Sequence, residues 1–138
     1  MPIEPGLTNE IMHIVAESDT AAVYGSGLAP VLSTPHLIAL MENAAQTALT
    51  PYLEPGQSTV GTHIDIRHLA ATPVGMAVRV RAEVTEVALP RVSFRVEAWD
   101  DVEKIAAGEH ERFVIDNARF MARVARKRGV EGYAVVGM

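Results

Sequence analysis

The chain contains 138 residues, of which 49% are apolar and 21% charged, and its formal net charge is -5. This length and composition predict one domain over residues 1–138, with its core at about residues 9–125. The absence of cysteine excludes a disulfide scaffold, a thiol nucleophile and a cysteine-ligated zinc site, and the negative charge argues against a general nucleic-acid binder.

The N-terminal residues give no sign of a signal peptide. Residues 1–6 (MPIEPG) lack the basic region and following apolar stretch of a secretory signal. No apolar run in the sequence approaches the roughly 20 residues needed to cross a bilayer. We therefore expect a cytoplasmic protein with no membrane partner.

The first half of the sequence predicts one strand and one long helix. Residues 11–15 (IMHIV) could supply a strand. Thr34 followed by Pro35 is typical of a helix N-cap with proline at the first helical position. Apolar residues recur at helical spacing over residues 37–48, and Pro51 ends the pattern. Because this helix is apolar over much of its circumference, a curved sheet around it is favoured.

After the helix the apolar period changes from 3.6 to 2, which is typical of half-buried strands. Apolar side chains alternate with polar ones in residues 60–68, and again in residues 76–85 and 92–98. A last strand pair, or one long strand, is expected over residues 105–124, with Gly108 as a plausible bulge. The order of strand, helix and four strands predicts an α+β domain, a long curved antiparallel sheet wrapped around one central helix.

Residues at four positions could take part in catalysis or ligand binding, and each also has a purely structural interpretation. Glu42 borders the apolar stripe, where a carboxylate is either partly desolvated and more basic or extended to solvent. His68 shares the inward parity of its strand, so an acid/base role competes with that of a core histidine. Thr34 either takes part in the chemistry or is present only to cap the helix, a role for which threonine is common. Gly61 either permits close packing or lets a ligand carbonyl approach a backbone N–H.

Several motifs resemble the fluoroacetyl-CoA thioesterase branch of the hot-dog thioesterases. The similarity extends over roughly residues 28–125, and its most specific part is residues 51–73. The segments that carry it are residues 34–42, PYLEPG at 51–56, Gly61-Thr62, His68, AATP at 70–73 and HER at 110–112. The resemblance implies the hot-dog fold, an acyl-CoA substrate, and a homodimer with its sites at the subunit interface. It implies no cofactor, since CoA is part of the substrate.

The resemblance also implies which residues form the site. The matching positions are Thr34, Glu42 and His68 for the catalytic set, Gly61 and Thr62 for a backbone amide at the site, and Arg112 for an arginine near the pocket. The implied reaction is hydrolysis of a short acyl-CoA thioester, with Glu42 as base or nucleophile and His68 and Thr34 in support.

The spacing of Thr34 and Glu42 constrains how such a site can be assembled. Eight residues of continuous helix span about 12 Å, so these two side chains of one chain cannot touch if the helix begins directly after Thr34. Either the helix begins later in the sequence, or the dimer partner supplies one of the two residues.

Two other functions fit the same residues. One is a non-enzymatic module that binds or senses acyl-CoA on the same fold. The other is an enoyl-CoA hydratase, against which the opposite strand parity of Asp65 and His68 argues. The fluoroacetyl-CoA specialists carry phenylalanines in a lid ahead of the helix, whereas residues 22–28 contain none, which leaves selectivity for fluoroacetyl-CoA unsupported.

The histidines and a basic segment near the C-terminus are two further groups of residues that could bind a ligand. The five histidines are scattered along the sequence without ligand spacing, so no metal site is predicted. Five basic residues crowd into residues 119–128. They form either a solvated strand end or a binding site for the phosphates of an anionic ligand.

Overall fold

The computed structural model describes residues 2–129. In chain order the elements are β1 (Thr8–Ile14), α1 (Ala21–Tyr24), α2 (Thr34–Leu49), β2 (Gln57–His68), β3 (Ala77–Ala88), β4 (Arg91–Trp99), β5 (Lys104–Asp116) and α3 (Asn117–Arg126). The predicted order of one strand, a central helix and four further strands is confirmed. The last nine residues of the predicted domain, 130–138, lie outside the described residues.

The five strands form one antiparallel sheet in the order β1-β3-β4-β5-β2. α2 packs across this sheet and contacts β1, β2, β3 and β4. Leu37 and Met41 of the helix are fully buried, as are Val80, Phe94 and Val96 of the sheet, so the core lies between the two layers. The predicted α+β class, with one helix on an antiparallel sheet, is confirmed. Within residues 2–129 no helix is long and apolar enough to span a membrane.

The start of α2 differs by one residue from the prediction. Ser33, not Thr34, is the N-cap, and its side chain accepts a hydrogen bond from the His36 amide at 3.1 Å. The prediction that Thr34 caps the helix is therefore wrong. Because Ser33 supplies the cap, the Thr34 hydroxyl is not needed there and is available for other contacts.

The predicted continuation of strand over residues 117–124 is wrong, because the chain turns into a helix after Asp116. The Asp116 side chain accepts a hydrogen bond from the Arg119 amide at 2.9 Å and so caps α3. Arg123 and Arg126 lie in the last turn of this helix, where cations interact favourably with its dipole. The basic segment is therefore a helix and not a strand end.

Gly108 is not a bulge, and the irregularity that matters to the site lies in β2. Gly108 pairs in regular register with both neighbouring strands, and a Cβ there would collide with the Asp65 carbonyl. The register between β2 and β5 shifts instead between Gly61 and His63. This bulge reverses the strand parity, so that the odd position Thr59 is buried before it, whereas the even positions are the half-buried ones after it.

Candidate active site

Thr34 and His68 form a hydrogen-bonded pair at one end of the central helix. Thr34 is the first residue of α2 and His68 the last of β2, and Thr34 Oγ1 lies 2.7 Å from His68 Nδ1. Burial lowers the pKa of His68 below its ordinary value, although the backbone of Ala70 opposes the shift. A neutral imidazole can accept the threonine proton at Nδ1, which is the arrangement needed for proton transfer.

A cavity of about 450 Å³ opens beside this pair. Its walls include Leu32, Ser33, Thr34, His68, Leu69 and Ala70. The hydroxyl and the imidazole are thus two of the few polar side-chain groups on a largely apolar surface, a common composition for a small-molecule site.

Glu42 belongs to a second group of residues, in which Arg112 makes the connecting hydrogen bonds. Arg112 is 5% exposed, and its Nη1 donates to Glu42 Oε2 at 3.5 Å. Its Nε donates to Thr59 Oγ1 at 2.9 Å and its Nη2 to the Thr59 carbonyl at 3.0 Å. The Glu42 side chain is 41% exposed in the single chain. The arginine therefore holds the carboxylate from the protein side and leaves its other face accessible.

Gly61 is required for the position of the Glu42 carboxylate. A Cβ at residue 61 would collide with Glu42 Oε2 and would lie 3.2 Å from His110 Cε1. Thr62 is the extra residue of the β2 bulge, and its hydroxyl donates to the Glu111 carbonyl at 3.2 Å. Since the extra residue of a bulge is left out of the strand ladder, the Thr62 backbone can serve a ligand, whereas Gly61 pairs with Arg112 of β5.

His110 and Thr59 belong to this group, although sequence reasoning assigned them no role. His110 is 1% exposed; its Nδ1 lies 2.7 Å from the His63 carbonyl and its Nε2 lies 3.2 Å from Arg112 Nη1. Burial lowers the pKa of His110, and a neutral ring that donates from Nδ1 to the carbonyl can accept from Arg112 at Nε2. The shared strand parity of residues 110 and 112 was the signal available in the sequence.

The two groups are separate within one chain. Thr34 is already helical, and α2 runs without interruption past Glu42 to Leu49, so the two residues are about 12 Å apart along the axis. The first of the two possibilities left by the sequence, a later start of the helix, is excluded. The structure brings Thr34 together with His68. It also brings Glu42 together with Gly61 and Arg112, but these two groups do not contact each other within one chain.

Comparison with known proteins identifies the family. Residues 15–118 match the family model described as fluoroacetyl-CoA-specific thioesterase. A fluoroacetyl-CoA thioesterase from Streptantibioticus cattleyicolor is 42% identical over 117 residues, which cover 85% of this chain and 81% of that protein. The chain belongs to the fluoroacetyl-CoA-specific thioesterase family. The predicted resemblance and the classification as an acyl-CoA thioesterase are confirmed.

Solved structures of related proteins confirm the hot-dog fold. A crystal structure of the fluoroacetyl-CoA thioesterase FlK superposes with a TM-score of 0.88 at 37% identity, covering 92% of this chain and 98% of that one. A hot-dog-like protein from Thermanaerovibrio acidaminovorans superposes with a TM-score of 0.85 at 26% identity, covering 92% of this chain and 94% of that one. The helix-and-sheet arrangement described above is that of this family.

The segment ahead of α2 in this family member has small side chains at the cavity. Residues 22–28, which contain no phenylalanine, include the end of α1 and the loop after it. Ala21 and Ser26 line the cavity, whereas Leu28 is 96% exposed. No large aromatic side chain from residues 22–28 lines the cavity.

Proposed function

We propose that this protein hydrolyses a short acyl-CoA thioester to the free acid and CoA, at a site that two protomers complete together. The observation that carries the proposal is the separation of the site into halves. Thr34 bonds to His68 at the cavity, while Glu42 of the same helix is held about two turns away by Arg112. A symmetric dimer would place Glu42 of one protomer against the Thr34–His68 pair of the other.

In this proposal, different residues of the site perform different steps of the hydrolysis. Glu42 either removes a proton from the attacking water or attacks the thioester carbonyl itself, giving an enzyme-bound anhydride that water then opens. The new C–O bond replaces the C–S bond, and Thr34 and His68 position the reacting groups and pass a proton to the departing CoA thiolate. Backbone N–H groups at Gly61 or at the start of α2 polarise the thioester carbonyl.

The proposed substrate is an acyl-CoA with a short chain and no requirement for fluorine. The supporting observations are that the related protein from Streptantibioticus cattleyicolor is a fluoroacetyl-CoA thioesterase, whose acyl group is short, and that residues 22–28 of this chain contain no phenylalanine. The basic residues on and after α3 belong to a helix end and not to a strand end, and their contact with CoA phosphates stays a prediction. A cytoplasmic location stays a prediction as well.

The test is release of free thiol from a panel of acyl-CoAs, followed with a disulfide reagent. The protein has no cysteine, so it contributes no background to this assay. Turnover that peaks at a short chain is expected. Binding of acyl-CoA without thiol release from any member of the panel would contradict the proposal and would favour a sensing module.

The pH dependence of kcat/KM should report the protonation of His68. Because burial lowers the pKa of His68, the imidazole stays neutral, and able to accept a proton, to a pH below the ordinary histidine value of about 6.5. We expect the acidic limb of the profile to lie below that value and to be unchanged in His63→Gln, since His63 is exposed. An acidic limb above pH 6.5 that vanishes in His68→Asn would contradict this assignment.

Replacing Arg112 with lysine should lower kcat about tenfold and leave KM within about threefold of the wild type. Lysine keeps the charge but cannot contact Glu42, His110 and both acceptors of Thr59 at once, so the carboxylate loses its fixed position. The control is Arg95→Lys, at a surface ion pair with Glu83. A rise in KM with unchanged kcat would show that Arg112 binds substrate and does not position Glu42.

A further inference from the structure

Three potential metal ligands meet on the side of α2 next to Thr34. His13 lies on β1, Asp19 follows that strand, and His36 lies in the first turn of α2. His13 Nε2 is 2.7 Å from Asp19 Oδ2, and His36 Nε2 is 3.3 Å from Asp19 Oδ1. One ligand atom from each of the three residues lies within 4.8 Å of the others. Two of the histidines that are scattered in the sequence, His13 and His36, therefore come together in the fold.

Asp19 is a buried carboxylate that is contacted by the Ala16 amide, His13 and His36. It is 5% exposed, and its Oδ2 also accepts a hydrogen bond from the Ala16 amide at 2.7 Å. A buried anion that faces two imidazoles is a strong attractor for a cation.

The Nε2 atom of His36 faces Asp19 but makes no hydrogen bond to it. Its Nδ1 lies 2.8 Å from the Tyr24 hydroxyl. Its Nε2 is enclosed and makes no hydrogen bond to any described residue, although Asp19 Oδ1 is near. Metal-binding histidines are commonly fixed in this way, with one ring nitrogen held by an outer group and the other directed at the metal.

We propose that His13 Nε2, the Asp19 carboxylate and His36 Nε2 bind a divalent transition-metal ion such as Zn²⁺. Two imidazoles and one carboxylate are a common ligand set for such ions and leave one position for water. Metal–ligand bonds of about 2.0–2.2 Å place neighbouring tetrahedral ligands about 3.3–3.5 Å apart. The 3.3 Å separation of His36 Nε2 and Asp19 Oδ1 already fits, whereas His13 Nε2, which lies 2.7 Å from Asp19 Oδ2, must move outward. Binding displaces the proton that His13 Nε2 shares with Asp19.

Such an ion would connect three segments, of which the one after Asp19 and the start of α2 continue into the cavity wall. It would tie β1 and the segment at Asp19 to the first turn of α2, two residues beyond Thr34. Thr20 and Ala21 follow Asp19 directly, and Ala21 lines the cavity. The ion would thus brace the cavity wall without taking part in thioester hydrolysis, and this proposal does not depend on the reaction assigned above.

The test is a zinc titration of tag-free, full-length protein that has been stripped with a chelator. Competition with a chromogenic zinc chelator should reveal one equivalent of Zn²⁺ per chain, and Co²⁺ should give visible absorption bands typical of nitrogen and oxygen ligands. The affinity should fall at least tenfold in His36→Gln and in Asp19→Asn, and about tenfold in Tyr24→Phe. His63→Gln, which removes an exposed histidine outside the cluster, should bind like the wild type.

The variants must be shown to fold before their affinities are compared. Circular dichroism of each metal-free variant provides that check, and His13→Gln replaces Asp19→Asn if the buried carboxylate proves essential for folding. The proposal is wrong if the wild type binds no Zn²⁺ at about 100 μM. That result would mean that the three residues form only a hydrogen-bonded network. It is equally wrong if folded His13→Gln and His36→Gln keep the wild-type affinity.

Discussion

Replacing Glu42 with glutamine should lower kcat for acyl-CoA hydrolysis by about 10³-fold, within the range contributed by a positioned general base. Glutamine has nearly the same shape and can keep a hydrogen bond to Arg112 Nη1, which now lies 3.5 Å from Glu42 Oε2. It can neither remove a proton from water nor attack a thioester as an anion. The loss should therefore appear in kcat, with KM and the fold little changed.

A matched exposed residue separates this effect from a loss of surface charge. Glu54 lies in the turn between α2 and β2 and is exposed, so Glu54→Gln removes the same charge away from both groups of site residues. Thermal unfolding of both variants should follow that of the wild type. Near-normal kcat in a folded Glu42→Gln protein would remove Glu42 from the chemistry and leave Thr34 and His68 as the reacting pair.

Hydrophobic periodicity predicted the parts of the fold in which burial alternates locally. The central helix and the four strands after it were identified because each has one buried face of regular period. The end of β5 was missed, because Phe120 and Val124 of α3 continued the apolar character of the strand before them. The signal that was overlooked is local: Asp116 caps the helix, and the basic residues that follow have helical spacing.

The composition of the site depended on contacts that no local pattern contains. The family resemblance, and not periodicity, indicated Thr34, Glu42 and His68 as a set. The contacts of Arg112 with Thr59 and Glu42 depend on the register between β2 and β5, including the bulge after Gly61. That bulge also reversed the strand parity, so the burial of Thr59 could not be read from alternation.

The cluster of His13, Asp19 and His36 shows the same limit. Its members come from β1, from the segment after it and from α2, and their sequence spacing resembles no metal motif. The fold alone brings them together. Scattered histidines in a sequence are therefore weak evidence against a metal site, because the packing of separate elements decides which side chains meet.

A mixed dimer distinguishes a site shared between protomers from a site within one chain. Glu42→Gln and His68→Ala chains, co-expressed with different tags and purified through both, should form a dimer with about half the wild-type kcat per dimer. If the protomers share each site, one site of this dimer contains both substitutions and the other contains neither. Each parent homodimer carries one substitution in both sites and should be at least about 10²-fold less active.

The reciprocal mixed dimer makes the result decisive. When a wild-type chain is paired with a chain that carries both Glu42→Gln and His68→Ala, shared sites predict that each site holds one defect, so almost no activity remains. Sites within single chains predict the opposite: this pairing would keep half of the activity, and the complementing pair would be inactive. The uninterrupted helix from Thr34 past Glu42 separates the two groups by about 12 Å within a chain, and the shared arrangement is the one we expect.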